Sequence, residues 1–170
     1  MDQKIYNIWG LVLHVLYIFL PLILGGITLL LKHVKAAAAK VEIFFVYFLI
    51  ISVGVQGLLT GCLQIFVAES VVNLAKWPFS PFLMEVGFAN LVFGILGIAS
   101  IWIKDRWRDA TAIGYSLFLI AIAINLIVNI SQKGNITQIH YGPKLWSDIL
   151  VPVALWILIA LKHAYKKETR

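Results

Sequence analysis

Charge is scarce in this sequence. Of its 170 residues only 13% are Asp, Glu, Lys or Arg, about half the share carried by an ordinary soluble domain. Cysteine is nearly absent. Cys62 stands alone, which excludes an intrachain disulfide framework and a thiolate metal site. There is no glycine-rich nucleotide loop, no zinc signature and no cysteine pair, and no internal repeat beyond a spacing of glycines.

Apolar residues are abundant, at 61% of the chain. The net charge of +6 comes from basic residues in short clusters between apolar runs. That pattern fits membrane topology rather than a nucleic-acid surface, and no nucleic-acid partner is implied. Five runs approach or exceed the roughly 20 apolar residues a spanning helix needs. They are Ile5–Leu31, Val41–Ala68, Phe82–Ile103, Ala110–Ile130 and Leu145–Leu161. The first is too long for the core of a cleaved signal and reads as a retained span. The expected fold is all-α: one integral membrane domain over residues 1–170, a helical bundle of five transmembrane helices.

Basic residues near a span resist translocation. With the N-terminus outside, Lys4, Lys76, Lys133 and Lys144 fall outside and the other ten of the 14 Lys and Arg fall inside. The predicted orientation is therefore N-out/C-in. Trp9, Trp77 and Trp146 sit near outer span ends, and Trp102 and Trp107 near inner ones, as interfacial rings prefer. The expected location is a plasma membrane, prokaryotic and inner, with the lipid bilayer as first partner and a homo-oligomer or a larger membrane complex as further ones. The outer loop at 131–144 carries the sequon Asn135-Ile136-Thr137.

Two spans carry matched small-residue stripes. Gly54, Gly57, Gly61 and Gln64 follow spacings of three, four and three, and so do Gly87, Asn90, Gly94 and Gly97. Such spacing places each set on one helical face, where small residues let backbones approach in lipid. Antiparallel pairing would set Gln64 against Gly87, Gly61 against Asn90, Gly57 against Gly94 and Gly54 against Gly97. Ser80 and Pro81 form a helix start, with Ser as N-cap and Pro as first helical residue. Glu85 then lies one turn inside, about 140° around the helix from Asn90.

Polar groups gather in the predicted outer half: His14, Gln64, Glu85, Asn90, Asn125, Asn129 and Asp148. The predicted inner half offers hydroxyls and no buried carboxylate, amide or histidine. Pro21 deprives the Tyr17 carbonyl of its helical donor, and Pro152 does the same to Asp148. Each outer group also has a plain structural role open to it: Asn90 bonding the neighbouring helix, His14 packing, Glu85 and Asp148 as helix-start acids. Intramembrane ionisable groups are nonetheless rare and mark function. The asymmetry suggests a polar pocket open outward and closed inward, and argues against a through-going channel.

The segment K-W-P-F-S-P-F-L-M-E-V-G-F-A-N-L, residues 76–91, resembles a segment shared by an uncharacterised family of small prokaryotic membrane proteins. That family is loosely similar to DoxX-like four-helix membrane proteins, some linked to quinone-dependent oxidation. The resemblance implies Glu85, Gly87 and Asn90 as marked positions and supplies no activity.

Three functions compete. The first is a protein that binds, or helps to move, a small solute, lipid head group or quinone in the outward pocket, with Glu85, Asn90, His14, Asn125, Gln64 and Asp148 as contacts. The second is an accessory or scaffold subunit of a larger membrane complex. The third, a small membrane enzyme with Glu85 and His14 in acid–base work, ranks last because no spacing brings them together. The cofactor is unknown. A bis-histidine haem would need a second histidine at the depth of His14, and His33, His140 and His163 lie in flanks or loops.

Overall fold

Five helices of the computed structural model are long and apolar enough to cross a membrane, and their order follows from a chain that must satisfy its backbone within each crossing. The structure describes residues 3–75, 82–133 and 141–168. Lys76, Trp77, the Ser80–Pro81 helix start and the sequon at 135–137 lie outside the described residues. Helix α1 (Gln3–Lys32) is followed by α2 (Ala37–Phe48), a π-helical segment (Leu49–Val55) and α3 (Gln56–Phe66). These last three form one continuous crossing, Ala37–Phe66. A short helix α4 (Ala68–Ala75) leads to α5 (Phe82–Ala99), α6 (Arg106–Lys133) and α7 (Tyr141–Glu168). No strand occurs among the described residues.

Several boundaries differ from the sequence expectation. The third crossing ends at Ala99 rather than Ile103. Bonds of the last turn tighten at Ser100–Ile103, and Asp105 takes a left-handed φ of 55°. The fourth and fifth crossings extend beyond their apolar runs, to Arg106 at one end and Glu168 at the other. Charged first and last turns are stable there because the acids and bases meet one another. The second crossing breaks at Val67 (φ −130°, ψ 32°), so Ala68 opens α4 instead of closing the crossing.

The crossing Ala37–Phe66 is the hub: it packs on α1, α5, α6 and α7. The core follows from this, with Phe45, Phe48, Leu49 and Val53 meeting Ala112, Tyr115 and Leu119 of α6 and Val151 and Leu155 of α7. Phe93 of α5 stacks on Phe118 and meets Tyr115 edge-on, with centroids 5.3 and 5.4 Å away. The hub serves neighbours on every side with a break in its own periodicity. In the π-helical segment the N–H of Gln56 reaches back to the carbonyl of Ile51, five residues earlier, and the wider turn admits an extra residue.

On one flank the hub meets α5 through glycine. A Cβ added at Gly57 would stand 2.6 Å from the Asn90 carbonyl oxygen and 2.7 Å from the Gly94 nitrogen. One added at Gly94 would stand 2.5 Å from the Leu58 nitrogen, and one at Gly97 2.5 Å from the Gly54 nitrogen. These obstacles are backbone, which cannot rotate away, so the two helices touch only because side chains are missing. Gly61 lies against the Gly87 carbonyl and Leu91 rather than against the Asn90 side chain. That side chain instead donates to Gln64 Oε1 at 2.9 Å.

On the other flank the hub meets α1 through hydroxyls. Pro21 has no N–H for the Tyr17 carbonyl, and the fully buried Ser52 hydroxyl donates to that oxygen in its place. Further along, Thr28 Oγ1 donates to Leu24 O at 2.8 Å and lies 2.8 Å from the Tyr47 hydroxyl.

Two outcomes test these flanks by unfolding in detergent. Gly57→Val is expected to lose about 2 kcal/mol or more, the upper part of the overpacking range. Gly26→Ala, whose added Cβ meets nothing within 4 Å, should stay within about 0.5 kcal/mol of wild type. Ser52→Ala should cost about 1 kcal/mol or more by stranding the Tyr17 carbonyl. Adding Pro21→Ala restores a helical donor to that carbonyl, so the double variant should recover most of the loss. Strict additivity of the two changes would show that the bond carries no energy.

Candidate functional site

The bundle has two ends. Helices α1, α5 and α7 start at one, here the N-terminal end; α2 and α6 start at the other, the C-terminal end, where α7 finishes. Each end holds a different arrangement of charge.

At the N-terminal end, the first described turn of α7 brings Lys144 Nζ to 2.6 Å from Asp148 Oδ2. The spacing of four residues places both on one face. The carboxylate is 1% exposed and the lysine 32%. Ser147, fully buried, donates to the Lys144 carbonyl at 2.8 Å. Pro152, also buried, withholds a helical donor from the Asp148 carbonyl. Asp148 lies within Coulombic reach of His14 on α1 and Tyr115 on α6, and Tyr115 within that of Tyr17. Between α1 and α7 runs a groove of about 360 Å³. Leu11, His14, Val15 and Phe19 line one wall, and Trp146 and Leu150 the other. An imidazole thus opens onto an otherwise apolar groove, with a buried ion pair close by.

The ion pair makes little structural sense by itself. Burying a carboxylate costs several kcal/mol after relaxation. A same-helix pair at this spacing returns only about 0.3–0.5 kcal/mol on an exposed helix; the carboxylate also lies within Coulombic reach of α1 and α6, through His14 and Tyr115.

The six residues singled out from the sequence divide. His14 lines the groove, and Asp148 lies within Coulombic reach of it but on the face of α7 opposite Trp146 and Leu150. Gln64 and Asn90 bond each other inside the glycine seam, with Asn90 6% exposed. Glu85 is exposed in the first turn of α5, and Asn125 is exposed on α6. No single pocket collects all six.

The C-terminal end holds more than the hydroxyls expected of it: a charged network whose carboxylates are 16% and 36% exposed and whose histidine is 55% exposed. At the C-terminal end, Arg108 is 5% exposed in its side chain and pairs with Glu42. Its Nε donates to the Ser100 carbonyl at 2.8 Å and its Nη2 to Ile101 O at 3.4 Å. Lys162 Nζ stands 2.8 Å from Asp109, 3.9 Å from Glu42 and 5.1 Å from the Phe45 ring centre. His163 Nε2 is 3.2 Å from Asp109 Oδ2. This network ties α2, α6 and α7 together with the turn after α5. Arg108, Asp109 and Lys162 sit one or two residues outside the apolar runs Ala110–Ile130 and Leu145–Leu161. The available signal was an acid in the first turn of one crossing opposite bases in the last turn of another.

Arg108 holds three acceptors while Glu42 is 36% exposed. Arg108→Met should therefore destabilise by about 3 kcal/mol, as when one partner of a buried pair is removed. Glu42→Gln, screened by solvent, should cost about 1 kcal/mol or less. Thermal unfolding of the two variants checks the order; equal losses would mean that the backbone acceptors contribute nothing.

Residues 11–168 match a family described as "Family of unknown function (DUF6790)". No curated protein and no solved structure matches the chain. The match covers nearly the whole sequence, and the chain belongs to that family.

Proposed function

We propose that this family member is a membrane binding protein, lying N-out/C-in, whose ligand sits in the groove between α1 and α7. The observation that carries this reading is the buried Asp148–Lys144 pair beside the half-buried His14. Ionisable groups inside a membrane are retained where something polar is handled, and both members of this pair belong to one helix. His14, with Asp148 within Coulombic reach behind it, holds the polar part of the ligand; Leu11, Val15, Phe19, Trp146 and Leu150 hold its apolar part. Of a small solute, a lipid head group and a quinone, the apolar walls favour a molecule that partitions into the bilayer. The loose resemblance to DoxX-like proteins is in keeping with a quinone among these.

The orientation rests on the basic residues at the C-terminal end, which would face the cytoplasm. Asp148 and His14 then lie under the outer surface. The Arg108–Glu42–Lys162–Asp109 network closes the inner one. Gln64 and Asn90 serve the seam that holds the frame rather than the ligand.

Organic extraction of the purified protein, followed by mass spectrometry, tests the proposal. A compound should co-purify near one per chain. Asp148→Asn and His14→Phe should lower its occupancy tenfold or more at unchanged helix content, and Cys62→Ser should leave it unaltered. Recovery of bulk lipid alone, in the same proportions from every variant, would count against a ligand site.

A further inference from the structure

We infer that the C-terminal end of the bundle binds anionic phospholipids, whose phosphates rest on two basic turns. The inference is independent of the groove and of which side of the membrane this end faces.

The turns are those that join α1 to α2 and α5 to α6. At the first, Lys32 ends α1, Lys35 lies in the turn and Lys40 lies in the first turn of α2. At the second, Lys104 and Arg106 lead into α6. All five are exposed, and among the described residues no ion pair engages any of them. Arg108 brings the two turns together. It pairs with Glu42 of α2, two residues after Lys40, and holds the carbonyls of Ser100 and Ile101 in the turn after α5. The turn bearing Lys104 and Arg106 is thereby pinned beside the start of α2.

The internal network also decides the sign of this surface. Residues 32–42, 104–109 and 162–166 hold eight Lys and Arg against three Asp and Glu. Of the three acids, Glu42 and Asp109 are engaged by Arg108, Lys162 and His163. Only Asp105 stands exposed and unpaired among the bases. The acids that could neutralise the surface are drawn into the joints between helices, and the outer bases keep their charge.

The neighbouring residues select the kind of anion. Leu30 and Leu31, each 76% exposed, run directly into Lys32, and Ile101, Trp102 and Ile103, all exposed, run into Lys104. Each basic turn therefore continues an apolar surface that faces lipid. Lysine stems lie along such a surface while their heads reach past it, and an exposed tryptophan suits the level of the head groups. A partner that meets both surfaces needs an acidic head joined to hydrocarbon chains. A phospholipid has that form, and basic residues beside a crossing attract anionic lipids. A nucleic acid or an acidic protein would meet the bases alone.

The full chain is reconstituted in equimolar phosphatidylglycerol and phosphatidylcholine and released in nonionic detergent, and the retained lipids are counted by native mass spectrometry. Phosphatidylglycerol should be retained threefold or more over phosphatidylcholine in about 0.1 M salt, and lose most of that preference in about 0.5 M, where exposed charges are screened. The variants Lys32→Gln/Lys35→Gln/Lys40→Gln and Lys104→Gln/Arg106→Gln should each halve the preference or more, and all five changes together should abolish it. Lys4→Gln with Lys133→Gln, at the other end of the bundle, should leave it unaltered. Equal retention of the two lipids, or a preference that survives the five changes, would overturn the proposal. In nanodiscs of phosphatidylcholine alone, inorganic phosphate, polyglutamate or oligouridylate should raise the unfolding temperature less than phosphatidylglycerol does within the bilayer. An equal shift from any of the three would overturn the assignment to a lipid.

Discussion

Backbone touching backbone is the constraint on which the bundle depends. In lipid, apolar side chains gain little by leaving one hydrocarbon surface for another, so association falls to close packing and a few polar bonds. The seam between Gly54, Gly57 and Gly61 on the hub and Gly87, Gly94 and Gly97 on α5 is the extreme case, since several of its contacts admit no Cβ. With α5 drawn against that flank, the larger residues of the hub turn toward α1, α6 and α7, where Phe45, Leu49 and Val53 fill the interior. The groove between α1 and α7 lies away from this seam.

Polar groups in the interior follow one rule, that each donor or acceptor withdrawn from water needs a partner inside the protein. The chain applies it in three ways. Pro21 strands the Tyr17 carbonyl, and Ser52 supplies the missing donor from the next helix. Arg108 distributes its guanidinium over a carboxylate and two carbonyls at the end of a neighbouring crossing. Asp148 is matched by a lysine of its own helix. The first two join elements that would otherwise only abut. The third is made within one helix.

Much of this was legible in the amino-acid order. The hydropathy runs located five helices of crossing length, and the equal spacing of Gly54, Gly57, Gly61 and of Gly87, Gly94, Gly97 pointed to the faces that meet, because a period of three and four residues is a statement about direction around a helix. Pro21 announced a freed carbonyl, though not that Ser52 would find it. Other features left no mark in a one-dimensional pattern. The charged network was hidden because Arg108, Asp109 and Lys162 sit just past the apolar runs, where a basic residue reads as a topology signal whether or not it has a partner. The separation of Asn125 and Glu85 from His14 depends on how each helix is turned about its axis, which neighbours decide. The π-helical segment was illegible as well, since Leu49–Val55 is an ordinary apolar stretch by composition.

That segment gives the hub a form of slack. An α-helix fixes the azimuth of every side chain once one is set, so a rod that must present Phe45 and Leu49 to one pair of neighbours and Gly54 and Gly57 to another has no freedom to adjust the angle between them. A turn closed five residues back, as from Gln56 to Ile51, works like a vernier: it resets the phase of everything beyond it without bending the axis out of the bilayer. The two halves of the crossing can thus be fitted to their partners separately. An unbroken α-helix with every residue kept would instead carry the glycine face about 100° away from α5, leaving the phenylalanine face where it was.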